Sequence, residues 1–178
     1  QPGDRVQEHD HIVTELDRQG FQLHFHALGD RAVREALDAI EAARTENGDA
    51  STVMHQLAHI QIINPSDVPR FGALNTSANM QPLWASYDPQ MIDLTLPFLG
   101  DERVTHQYPF ASLVASGSHL CAGSDWPVTS ADPWLGMHVA VHRQVPVGPP
   151  DYDERVFLEH EKLDLATALR AYTLGGVE

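Results

Sequence analysis

Three short apolar segments each end in a residue able to ligate a metal or carry a proton. They close on Leu23-His24-Phe25-His26, on Leu57-Ala58-His59, and, after His119 to Ala122, on Gly123-Ser124-Asp125. Imidazole and carboxylate are donors that suit zinc and similar divalent ions. A metal so held lowers the pKa of a bound water towards neutrality, and a nearby carboxylate such as Asp125 can take that water's proton. His26, His59 and Asp125 are separated by 33 and 66 positions, so only the fold can unite them. Each has a plainer explanation. A single histidine at a strand end is commonly a hydrogen-bonded loop residue, and an aspartate in a Gly-Ser-Asp turn is commonly a helix cap. The joint pattern is stronger than any one member, because all three fall at the same end of separate strands.

His24 precedes His26 by two residues, so both side chains share one side of a strand. His-x-His is a metal motif that also occurs without metal. His55, His106, His138 and His142 lack a comparable setting. His138 and His142 are spaced to chelate on a helix, but a solvated face explains them more simply. Gly-x-Gly-x-x-Gly, P-loop and Gly-x-Ser-x-Gly patterns are absent. Cys121, alone in an apolar strand, reads as inert core.

The elements that must position these residues alternate. The pattern predicts a helix over Arg5 to Gln19, a strand over Phe21 to His26, and a helix over Arg31 to Ala43 with Asp30 as N-cap. Val33, Leu37 and Ile40 form that helix's inner stripe. Strands follow at Val53 to Ile60, Thr76 to Met80 and His119 to Ala122. Asn64-Pro65-Ser66-Asp67 reads as a turn into a short helix through Phe71 and Leu74, and helices are expected around Gln90 to Leu99 and at Phe110 to Ser116. Two more follow the last strand, at Pro133 to Arg143 and, capped by Asp164, at Leu165 to Thr173. A Pro/Gly loop spans Val145 to Pro150. Such alternation means parallel strands with crossover helices. In parallel α/β architectures the C-terminal strand ends share one face, and active sites form there.

Composition narrows the field. The 178 residues carry a formal charge of −14 and include 11 His and a single Cys. The charge argues against nucleic acid or an anionic membrane as partner. One cysteine excludes an intrachain disulfide, and no apolar run is long enough for a transmembrane helix. The start, Gln-Pro-Gly-Asp-Arg, has neither an initiator Met nor an apolar leader, so an excised or processed chain is expected.

The run His26-Ala27-Leu28-Gly29-Asp30-Arg31-Ala32-Val33 resembles the HAIGD-x-AV segment of the amidohydrolase superfamily, in its YtcJ-like branch, which includes N-substituted formamide deformylase. The resemblance continues through His59-Ile60-Gln61, Pro65 to Phe71, Met80-Gln81-Pro82, Gly123 to Val128, Asp132 to Gly136 and Ala168 to Thr173. It implies an α/β fold of the TIM-type (βα)8 barrel. This chain would be one domain piece, residues 1–178, the C-terminal half with strands 5–8. His26, His59 and Asp125 would end strands 5, 6 and 8. The resemblance further implies that all three are metal ligands, zinc being the expected ion, with one or two ions in the full-length protein. Asp125 would be general base on a metal-activated water that hydrolyses an amide-type C–N bond of an N-acyl or N-formyl compound.

There are departures. Ala58 stands where the family usually has Glu, and His24 where it usually has an apolar residue. The strand-1 His-x-His and strand-4 Lys of the family would lie upstream. A non-catalytic scaffold or regulatory derivative of the same fold is therefore a second expectation. A half-barrel that self-associates as a homo-oligomer is a third. Gln81, Trp84, Arg103 and Trp126 are candidate substrate or supporting residues, as is Tyr87 for an apolar pocket. Trp134 is expected to pack its helix. A small-molecule amide substrate and a cytoplasmic location complete the expectations.

Overall fold

Four short stretches, His24–Ala27, Gln56–His59, Ser77–Met80 and His119–Ala122, form strands β1 to β4 of one parallel sheet in the order β1-β2-β3-β4. The computed structural model describes residues 2–146 and 154–176, with side chains from His9 onward. Most of the expected loop at 145–150 lies outside the described residues. The strands are shorter than their apolar runs suggest.

Register explains the two faces of the sheet. Phe25, Leu57, Ala78 and Leu120 lie side by side across it. They join the main core with Val33, Leu37 and Ile40 of α2 (Asp30–Asn47), all fully buried. Fully burying a side chain of this size contributes about 1.5–3 kcal/mol, so this face fixes the register. The opposite face is polar. One row across it is His24, Gln56, Ser77 and His119, and the next is His26, Ala58, Asn79 and Cys121. Asn79 Nδ2 donates to Gln56 Oε1 at 2.8 Å, and Gln81 Nε2 donates to Asn79 Oδ1 at 3.0 Å.

The helices are α1 (Pro2–Arg18), α2, α3 (Val68–Ala73), α4 (Leu96–Val104), α5 (Phe110–Ala115), α6 (Pro133–His142) and α7 (Leu165–Tyr172); α2, α3, α5, α6 and α7 place buried residues in the main core, α1 packs on α2, and α4 buries none. Asp164 caps α7 as expected, accepting Thr167 N–H at 2.8 Å. Asp30 does not cap α2. Gly29 holds the N-cap position without a side-chain bond, and Asp30 instead pairs with Arg103 at 2.9 Å. The expected helix at Gln90 to Leu99 divides into a π turn, Met91–Thr95, followed by α4.

Two fully buried polar groups tie elements together. His55 Nδ1 accepts Leu23 N–H, and its Nε2–H donates to Asp17 Oδ1 at 2.9 Å, which joins α1 to β2. Arg143, in a left-handed conformation (φ 55°), donates from Nε to Phe157 O at 2.9 Å and from Nη1 to Tyr108 O at 3.1 Å. Its guanidinium lies over the Phe110 and Phe157 rings. Among the described residues no helix is long and apolar enough to cross a membrane.

Candidate functional site

Strand parity alone would separate the two expected ligands. His26 pairs in register with Ala58 and belongs to the polar face, whereas His59 pairs with Ala27 on the apolar one. The backbone resolves this conflict. His59 has φ 77° and Ile60 has φ 48°, and Ile60 N–H donates to both Ala27 O at 3.0 Å and Ala58 O at 3.1 Å. His59 is thus the centre of a γ-turn with positive φ, a rare geometry. A β-branched residue with positive φ is rarer still, and such positions cost of order 1–3 kcal/mol. The turn brings the His59 imidazole round to His26, and His26 Nδ1 lies 2.9 Å from His59 Nε2.

His59 is held from several sides. Trp84 lies flat against it, with ring centroids 5.0 Å apart and planes 7° from parallel. His59 Nδ1 and Gln81 Oε1 are buried without hydrogen-bond partners. Burial pushes the His59 pKa down, the charge of Asp125 opposes this, and His26 pushes it down again; the net direction is down. The ring is therefore neutral near pH 7, the form in which imidazole binds a metal.

Asp125 also occupies left-handed backbone (φ 55°), at the turn where Val128 N–H donates to Asp125 O at 2.8 Å. It reaches His59 electrostatically rather than by contact. Among the described residues no three of the His, Cys, Asp and Glu side chains are close enough to hold a metal ion. The donor set nevertheless fits a divalent ion in kind. Two imidazole nitrogens face each other and a carboxylate stands nearby.

The other expected residues are distributed as follows. His24 is exposed, with its ring edge-on to His26 at 5.5 Å. Gln81 is buried beside His59, and Trp84 is the stacked wall. Arg103 is committed to Asp30. Trp126 is exposed and precedes a cis peptide to Pro127. Trp134 does not pack its helix: it sits in the first turn of α6, pointing away from the core, and is 69% exposed. His55 was expected to have no distinctive setting, and it is instead wholly buried against Asp17. Cys121 is buried with a raised pKa, caused first by burial, as inert core requires. His138 and His142 have ring centroids 4.7 Å apart, and only His142 is exposed. Asp88 and Tyr108, which line the space beside Trp84, carry no sequence signal that singles them out.

The chain is 34% identical over 159 residues to protein LONG AFTER FAR-RED 3 of Arabidopsis thaliana, covering 89% of this chain and 26% of that one. It is 29% identical over 176 residues to the protein YtcJ of Bacillus subtilis (strain 168), covering 96% of this chain and 31% of that one. Its fold is similar to an uncharacterized metal-dependent hydrolase from Pyrococcus horikoshii OT3, with a TM-score of 0.76 and 26% identity over 96% of this chain and 32% of that one. The chain thus spans a third or less of the length of each. Residues 4–178 match the amidohydrolase family over nearly their whole extent, and the chain belongs to that family.

Proposed function

We propose that the 178 residues are the C-terminal half of a (βα)8 barrel, contributing strands 5–8, in a hydrolase that cleaves an amide-type C–N bond with the help of a divalent metal, zinc being our choice. The observation that carries this reading is the facing pair of His26 Nδ1 and His59 Nε2, 2.9 Å apart at the C-terminal strand ends. Family membership supports the reaction class.

His26 and His59 would hold the metal, which when bound supplies Lewis acidity to a water and to the substrate carbonyl. Asp125 takes the proton of the attacking water on a carboxylate oxygen and returns it to the departing nitrogen. Trp84 shields one face of His59 from solvent and fixes the ring's plane. Gln81 presents its unpaired Oε1 on the same side and orients the imidazole. The small-molecule amide approaches over the polar face of the sheet.

The test uses the natural full-length protein. Metal content is measured by elemental analysis, and turnover is assayed on a panel of N-acyl and N-formyl amines with and without chelator. Activity lost on chelation and restored by Zn2+, and abolished in Asp125→Asn with the fold intact by circular dichroism, is the expected result. Undiminished turnover by Asp125→Asn would remove the assignment. A second reading, a non-catalytic derivative, is favoured by one observation: Ala58, in register with His26, offers no carboxylate where the family usually has Glu. A metal-free, inactive full-length protein would support it.

A further inference from the structure

Next to the His26–His59 pair, though lined by neither histidine, lies a cavity of about 330 Å3. One of its walls is Trp84, the ring stacked on His59. Leu28, two residues past His26, and Val128, three past Asp125, add apolar walls, and Met91 completes them. A volume this size is at the lower end for ligand pockets, roughly 300–1,000 Å3. It fits one part of a small molecule, and a flat aromatic wall favours a flat group.

The lining is as polar as it is apolar: Gln61, Gln90, Thr95 and Thr129 share it with Asp88 and Tyr108. Asp88 is half-buried, and its Oδ1 accepts Met91 N–H at 2.6 Å. Among the described residues no Lys or Arg pairs with it. The Gln90 N–H bonds the carboxylate as well; a carboxylate offers about four acceptor positions, so capping this turn still leaves acceptors unused. Burial pushes its pKa up, which marks it as short of solvation. Tyr108 is 2% exposed, and its hydroxyl makes no hydrogen bond among the described residues. The Tyr108 hydroxyl stays protonated, since burial, then the charge of Asp88, raises its pKa. A desolvated acid without a cation repels an anionic tip and is relieved by a donor.

Building on the amide-hydrolase reading above, we infer that this cavity receives the substituent of the amide substrate, an apolar ring-sized group whose far end carries a hydrogen-bond donor. Asp88 accepts that donor, and the Tyr108 hydroxyl lies beside it. The attraction between Trp84 and the ring sets the distance from the amide to His59, and the donor at the far end sets the rotation. Amide substrates with acidic tips are turned away.

The experiment compares N-formylbenzylamine with its para-hydroxy, para-aminomethyl and para-carboxy derivatives. Binding is measured first, by titration calorimetry on chelator-treated full-length protein, so that no turnover is needed. The hydroxy and aminomethyl probes are expected to bind about tenfold more tightly than the parent probe, and the carboxy probe more weakly. Asp88→Asn is expected to reduce the aminomethyl advantage by about tenfold. Leu28→Trp, a change at a partly exposed position, fills the cavity and should weaken all four, which guards against a folding defect in the Asp88 variant. Equal binding of all four probes, or tightest binding of the carboxy probe, overturns the inference. Turnover is measured afterwards. Selective binding without hydrolysis would sink the proposed reaction and leave the pocket standing, whereas hydrolysis without selectivity would do the reverse.

Discussion

His55 Nε2 and Asp17 Oδ1 lie 2.9 Å apart with both side chains wholly buried, and the proton between them belongs to the histidine. Leu23 N–H occupies His55 Nδ1 and leaves Nε2 as the donor. Burial, then the charge of Arg44, lowers the His55 pKa, against the pull of Asp17. Burial raises the Asp17 pKa, but hydrogen bonds from Ser51, Asn47 and His55 outweigh it, and the net direction is down.

The pH dependence follows from these directions. A histidine with a depressed folded pKa stabilises the fold fully above its ordinary value of about 6.5, and that contribution is lost as pH falls towards the lower folded value. Asp17 contributes above its ordinary carboxylate range and loses its contribution at lower pH still. Urea denaturation between pH 7.5 and 4 should therefore show stability falling below about pH 6.5. In His55→Gln the fall that begins below about 6.5 should be shallower, the remainder coming from His59 and His138, whose pKa values burial also lowers. Asp17→Asn is expected to cost roughly 3 kcal/mol, the penalty for breaking a buried polar pair.

Arg143 is the largest of the fully buried side chains. Its planar fork reaches two carbonyls from different loops while its face covers two rings. Lysine cannot reproduce that geometry. Arg143→Lys and Arg143→Ala are both expected to lower unfolding free energy, by about 2 and roughly 4 kcal/mol. Equal stability of Arg143→Lys and the natural protein, by chemical denaturation, would disprove this role.

Removal of either facing imidazole should be costly for metal. His26→Ala or His59→Ala in the full-length protein is expected to weaken affinity at least about a hundredfold, and Trp84→Ala about tenfold, because the stacked ring only orients its neighbour. The 178 residues by themselves should bind Zn2+ weakly, since among the described residues two imidazoles meet and no third donor is within reach. Tight stoichiometric binding in a calorimetric titration would contradict this.

Two glycines differ in what surrounds them. A Cβ on Gly175 would stand 2.1 Å from the Leu120 carbonyl oxygen, and one on Gly136 would stand 1.9 Å from the Tyr172 hydroxyl. Backbone cannot swing aside, but a side-chain tip can. Gly175→Ala should therefore cost about 3 kcal/mol and Gly136→Ala about 1. Tyr172→Phe should partly rescue only the second, which melting temperatures of the single and double variants would show.

Much of this was legible in the residues. The apolar stripe of α2 and the parallel strands announced themselves through periodicity, and the approach of His26 to His59 through their position at the ends of neighbouring strands. What escaped was set by three-dimensional context. Asp30 has the chemistry of a cap, yet a partner 73 residues away, Arg103, claims it. Trp134 is an aromatic on a helix and still faces outward, because its position falls in the exposed first turn. His55 is one histidine among many until Leu23 and Asp17 close around it. The flat contact of Trp84 on His59 joins residues 25 positions apart with no shared pattern.

The left-handed pair at His59 and Ile60 has a consequence for when disorder is removed. A ligand that must gather loose side chains is weakened by their lost freedom. Here the direction of the imidazole is settled by the main chain as the protein folds, with Ile60 buried to keep it so. Folding thus takes on the loss of freedom beforehand, and an ion or substrate bound there would meet an imidazole already aimed.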